Sequence, residues 1–134
     1  MRKLILSILM LAVADVALAA EKVVYKQGEK NWVDTAHYFT YEFNQRPKIG
    51  YDIVIVKMFD KDGARVTDYA IVAVSGMPSM PSMGSTPETP FKLNKKGDYL
   101  FPVDAVMLGA WQVSMKIVKD KKIVSSGVIL FDVK

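Results

Sequence analysis

Apolar and polar positions along this chain alternate with the two-residue period of a strand rather than the 3.6-residue period of a helix. His37, Phe39, Tyr41 and Phe43 share one face of a stretch whose other face carries Tyr38, Thr40 and Glu42. Tyr51 to Phe59 is aliphatic and rich in β-branched residues, as a buried strand is. Asp60-Lys61-Asp62-Gly63 reads as a tight hairpin with glycine where a positive φ is needed, and Val66 to Val74 as the partner strand that returns from it. Phe91 to Leu93 gives a short strand and Lys95-Lys96-Gly97 a turn. Tyr99, Phe101 and Val103 alternate, and Pro102 assigns that strand to an edge or a bulge. Ala110 to Val118 places Trp111, Val113, Met115 and Ile117 opposite Gln112, Ser114 and Lys116, and Ile123 to Val133 closes the chain after a turn at Asp120-Lys121. Glu21 to Asp34 is mixed and polar, with room for a short leading strand. About seven strands between polar turns describe an all-β sandwich. Long alternating strands are too few for a membrane barrel, and an aromatic girdle is missing.

The first residues follow a different pattern. Arg2 and Lys3 precede an apolar run from Leu4 to Ala14, and Ala17-Leu18-Ala19 supplies small residues at a cleavage site. This predicts a cleaved signal peptide over residues 1–19 and a single domain over 20–134, exported to the periplasm or secreted. The run is shorter than the ~20 apolar residues of a membrane span, so no membrane insertion of the mature chain is expected. Of the 134 residues with formal charge +4, about 115 carrying about +3 remain after cleavage. That mild, interspersed charge gives no nucleic-acid footprint. The chain has no cysteine, which removes disulfides, thiolate metal sites and thiol catalysis.

The loop from Ser75 to Pro90, about sixteen residues, is longer than structureless loops in compact domains usually are. It holds Met77-Pro78-Ser79-Met80-Pro81-Ser82-Met83-Gly84, with a methionine at every third position. A polyproline II backbone has about three residues per turn and would point all three thioethers the same way. Thioethers are soft donors that suit Cu(I). The alternative is that these methionines anchor the loop or form an adaptable apolar surface.

The remaining candidates divide between chemistry and packing. His37 is the only histidine, so a histidine-based zinc site cannot be built. It reads as a structural residue on its aromatic face, with metal ligation as the alternative. Met107 and Met115 read as core or near-core residues and Trp111 as the buried aromatic of the sandwich. Asp60 and Asp62 resemble the start of a calcium loop, but its twelfth position is Ile71 rather than glutamate. Lys116, Lys119, Lys121 and Lys122 read as charges that keep a sheet edge soluble, the alternative being a docking patch for an acidic partner. Without a thiol, a phosphate-cradling glycine loop or a serine elbow, no enzyme is expected.

Taken in order, Gly50, Asp60-Lys61-Asp62-Gly63, the Met-Pro-x-Met-x-x-Met-Gly loop, Gly97-Asp98-Tyr99 and Met107-Leu108-Gly109-Ala110-Trp111 resemble the YtkA-like domains, which are related to the FixH-like proteins. The resemblance covers residues 38 to 133 and extends to the copper resistance determinant group. It implies an immunoglobulin-like β-sandwich, exported, that handles copper and serves an efflux or oxidase-assembly complex in the membrane. It also implies a metal site drawn from Met77, Met80, Met83 and Met107, to which the residue reading adds His37 as a further candidate. Many family members have histidine where this chain has Ser85. That departure weakens a Cu(II) site and favours Cu(I). The expected function is therefore a non-enzymatic copper-binding protein; the alternative is an interaction module whose methionine loop docks on a protein and binds no metal.

Overall fold

The computed structural model describes residues 23–80 and 87–134. The expected leader, its cleavage point, Met83 and Ser85 lie outside the described residues. The described chain contains strands and no helix: β1 (Val23–Val24), β2 (Asn31–Trp32), β3 (His37–Phe43), β4 (Gly50–Asp60), β5 (Ala70–Gly76), β6 (Thr89–Pro90), β7 (Lys92–Leu93), β8 (Tyr99–Ala105), β9 (Gly109–Lys119) and β10 (Lys122–Val133). They form two five-stranded sheets, ordered β1-β10-β9-β5-β6 and β2-β3-β4-β8-β7. Every pairing is antiparallel except β1 with β10. The expected β-sandwich is correct. Its strands number ten rather than about seven because three of the two-residue edge strands, β1, β2 and β6, are too short to show as alternation; the fourth, β7, falls within the expected short strand Phe91 to Leu93. Short edges also limit the open backbone that another chain could pair with.

The inward faces interlock through aromatic pairs. Tyr25 meets Phe39 at 4.8 Å, Phe43 meets Phe131 at 4.8 Å, and Phe91 stacks on Phe101 at 4.9 Å. These contacts set β3 across from β10, and Tyr99 at the head of β8 bonds Tyr69 just before β5. Phe39, Val54, Val56, Met58, Val103, Trp111, Val113, Met115, Ile117 and Ile129 are fully buried between the sheets. Tyr38 is buried as well, although alternation turns it outward, because Trp32 and Phe59 cover its ring.

One pairing differs from the sequence expectation. The turn at Asp60 to Gly63 forms, with the Gly63 amide on the Asp60 carbonyl at 3.0 Å and Gly63 at φ 87°. The returning chain stays beside β4 only as far as Val66, through the Asp60 amide on the Ala64 carbonyl, the Phe59–Arg65 bridge and the Val66 amide on the Met58 carbonyl. It then crosses to the other sheet, where β5 pairs with β9 and β6. Alternation places a residue on a face without choosing the neighbouring strand. Here β8 takes the place beside β4 that the hairpin would have filled. Pro102 conforms to expectation: β7 pairs only with Tyr99 and Leu100, so β8 is an edge at Pro102.

Candidate metal centre

The inward phase of β5 runs through Ile71, Ala73 and Ser75 and continues to Met77, which is 5% exposed. Pro78 and Ser79 then reverse the chain, and the Met80 amide donates to the Met77 carbonyl at 3.1 Å. This is a β-turn with proline at its second position. It replaces the expected polyproline II backbone, which has no internal hydrogen bonds. Staying in the phase of β5 buries the first thioether, and the turn satisfies a backbone pair; an extended helix achieves neither. The thioethers of Met77 and Met80 therefore differ in environment, the second being 44% exposed.

Met77 reaches the start of β9. A Cβ at Gly109, whose φ is 127°, would lie 3.1 Å from the Met77 Cε, so the glycine leaves the space that the thioether end occupies. Two residues earlier, Met107 is partly buried against the core. Its carbonyl accepts the Trp111 indole N–H at 2.9 Å, which fixes the loop that carries it. Met77, Met80 and Met107 thus occupy one end of the sandwich. Met115, read from sequence as core, is buried within the sandwich.

The same end contains a group that sequence reasoning passed over. Asp52 lies in the inward phase of β4 with Val54, Val56 and Met58 and is 0% exposed. One carboxylate oxygen accepts the Gln45 side-chain amide at 3.2 Å and the Lys48 backbone N–H at 3.1 Å. Its other oxygen has no hydrogen-bond partner. An acid in phase with three apolar residues was the available signal.

His37 lies at the opposite end. Its ring is edge-on to Tyr69 at 5.4 Å, and Tyr69 precedes Met77 by roughly 25 Å of strand. The His37 Nδ1 is 3.0 Å from the Asp34 carboxylate, which also accepts the Ala36 amide at 2.7 Å and the Tyr69 hydroxyl at 3.3 Å. The structure therefore separates His37 from the methionines and ties it to a carboxylate and a phenol.

That polar end predicts a pH response. Partial burial pushes the Asp34 carboxyl up, but hydrogen bonds from Ala36 and His37 and the charge of His37 outweigh it, and the net shift is downward from 3.8. The Lys119 ammonium bonded to Asp68 holds that carboxyl down as well. Both contributions are complete above about pH 3.8 and vanish as pH falls through the depressed folded values, so stability drops in acid. Tyr69 is pushed up to about 12 by burial and the nearby Asp34 charge, so its contribution is complete below pH 10 and lost as pH rises through 12. Urea melts of wild type, Asp34→Asn and Tyr69→Phe check this: the first variant should flatten the acid limb and the second the alkaline one.

Among the described residues, no three His, Cys, Asp or Glu side chains gather to hold a metal. The Asp60 carboxylate is occupied by its own hairpin, accepting the Asp62 and Ala64 amides at 2.9 Å. Lys116 pairs with Glu88 at 3.1 Å and Lys119 with Asp68; both belong to β9, an inner strand between β10 and β5, so, contrary to expectation, they do not guard a sheet edge. What the methionine end offers is soft: two half-buried or buried thioethers beside an exposed one. That donor chemistry fits Cu(I) or Ag(I) better than a hard cation. In comparisons with known proteins, residues 34–116 match the family model described as YtkA-like. No curated protein matches the chain.

Proposed function

This chain belongs to the YtkA-like family, and from that premise we propose that it is a copper-binding protein that takes Cu(I) at the methionine end of the sandwich. The observation that carries this reading is the contact of Met77 with Gly109, which brings the methionine turn against the loop of Met107. Met77, Met80 and Met107 would hold the ion, with Met83 as the remaining thioether of the loop. Bound copper is cargo, and the role is resistance, transfer or efflux rather than catalysis. Kinship with the FixH-like and copper resistance determinant proteins, export to the periplasm and service to a membrane efflux or oxidase-assembly complex belong to the same proposal. His37, far from the sulfurs, is structural in it.

A second reading has its own observation. Met80, Val106 and Leu108 are large apolar residues exposed at the same end, as a protein-docking surface is. Titration under reducing conditions separates the two. The copper reading expects stoichiometric Cu(I) uptake, persisting at mildly acidic pH because thioethers have no proton to lose. Met77→Leu/Met80→Leu/Met83→Leu should stay folded, since leucine for methionine usually costs under ~1.5 kcal/mol per site, and should lose that uptake. Wild type that takes up no Cu(I), or a triple variant that binds as well as wild type, overturns the copper reading.

A further inference from the structure

We infer that the buried carboxylate of Asp52 is the counter-charge for the soft cation held at the methionine end, an inference that rests on the copper reading. Neutral thioethers supply bonding without charge. A monovalent cation that enters a poorly hydrated site on sulfur alone keeps its full charge there, at a cost.

Asp52 is placed to offset that charge. It is inward-facing and has 0% exposure, and β4 neighbours β8, whose Ala105 pairs with Gly50 two residues from Asp52. From Ala105 the chain passes through Met107 to Gly109, which Met77 touches. β8 lies across from β5 through the Tyr99–Tyr69 bonds. With sheets about 10 Å apart and β4 one strand, about 5 Å, to the side of β8, the carboxylate and the thioethers are separated by a little more than one sheet spacing.

Turn formation does not require this charge. Asn94 caps its turn with an amide oxygen that accepts the Lys96 and Asp98 amides at 2.9 Å, and Asn44 accepts the Ile53 amide at 2.8 Å. An asparagine at position 52 could accept from Gln45 and Lys48 in the same way. Among the described residues no lysine, arginine or histidine pairs with Asp52. A buried carboxylate with an unbonded oxygen and no cation of its own is costly. A cation at the neighbouring sulfurs gives that charge a use.

Silver(I), redox-inert and as soft as Cu(I), is the probe. Unit charges about 10 Å apart at an effective dielectric near 20 differ enough that Asp52→Asn should weaken Ag(I) binding roughly tenfold. Its urea midpoint should be unchanged or raised, because the turn keeps its acceptor. Asp52→Asn that binds Ag(I) as tightly as wild type overturns the inference and leaves the copper reading intact, provided Met77→Leu/Met80→Leu/Met83→Leu loses Ag(I). Wild type that takes up no Ag(I) overturns both. Should Asp52→Asn fail to fold, difference infrared spectra of wild type with labelled aspartate carboxyls decide: Ag(I) is expected to shift a carboxylate stretch, and an unshifted spectrum overturns the inference.

Discussion

Trp111→Ala is expected to lower stability by about 4–5 kcal/mol, at the upper end of large-to-small core substitutions. Trp111 is fully buried on β9, between Val113 in its own phase and Phe131 as its cross-strand partner. Truncation removes the largest buried side chain of the sandwich and leaves a cavity that the close-packed interior beside β10 cannot close. It also frees the Met107 carbonyl, which accepts the indole N–H at 2.9 Å. Trp111→Phe separates these effects: most of the packing stays, the hydrogen bond is lost, and the expected cost is about 1–2 kcal/mol. In the copper reading the phenylalanine variant should also weaken Cu(I) binding, because the loop carrying Met107 loses its tether. Equilibrium urea unfolding measures both. A loss below ~2 kcal/mol for the alanine variant would show that the sheets close over the gap.

The part of this fold legible in the sequence was what depends on local alternation. Phe39, Tyr41, Trp111, Val113, Met115 and Ile117 all lie inward as their phase requires. What alternation cannot carry is the choice of neighbour. Val66 to Val74 has the pattern of a hairpin strand, yet β5 joins the other sheet and β8 holds the place beside β4. The two-residue edges β1, β2 and β6 fall below any periodicity. At the candidate site, the threefold methionine repeat misread the backbone between Met77 and Met80. Proline at the second position of a turn and proline in polyproline II have the same φ, and only the Met80–Met77 hydrogen bond distinguishes them. The distance from His37 to the methionines follows from which end of β5 each residue meets, a property of the packed sheets alone. Asp52 was readable in phase, but its unbonded oxygen emerges only once the 44–48 turn has claimed the first.

The crossing from β4 to β5 also carries the second large expected effect. Tyr99→Phe should cost about 2–4 kcal/mol, far more than one hydroxyl normally does. The Tyr99 hydroxyl accepts the Tyr69 N–H at 3.2 Å and donates to the Tyr69 carbonyl at 2.8 Å. It therefore replaces both ladder bonds that Tyr69 forgoes where the chain changes sheets, and all these groups are buried. Phenylalanine keeps the ring in place, so no relaxation delivers water or another partner, and two backbone groups remain unsatisfied at about 1–3 kcal/mol each. Tyr41→Phe is the internal comparison, since its hydroxyl makes a single bond of 3.3 Å to the Tyr25 carbonyl and should cost about 1 kcal/mol. Urea unfolding of the two variants gives the ratio, and amide exchange at Tyr69 should quicken in Tyr99→Phe while the β9 amides stay protected. Equal costs for the two variants would mean that the crossing is held by packing, and that the double bond to Tyr69 follows from the fold without directing it.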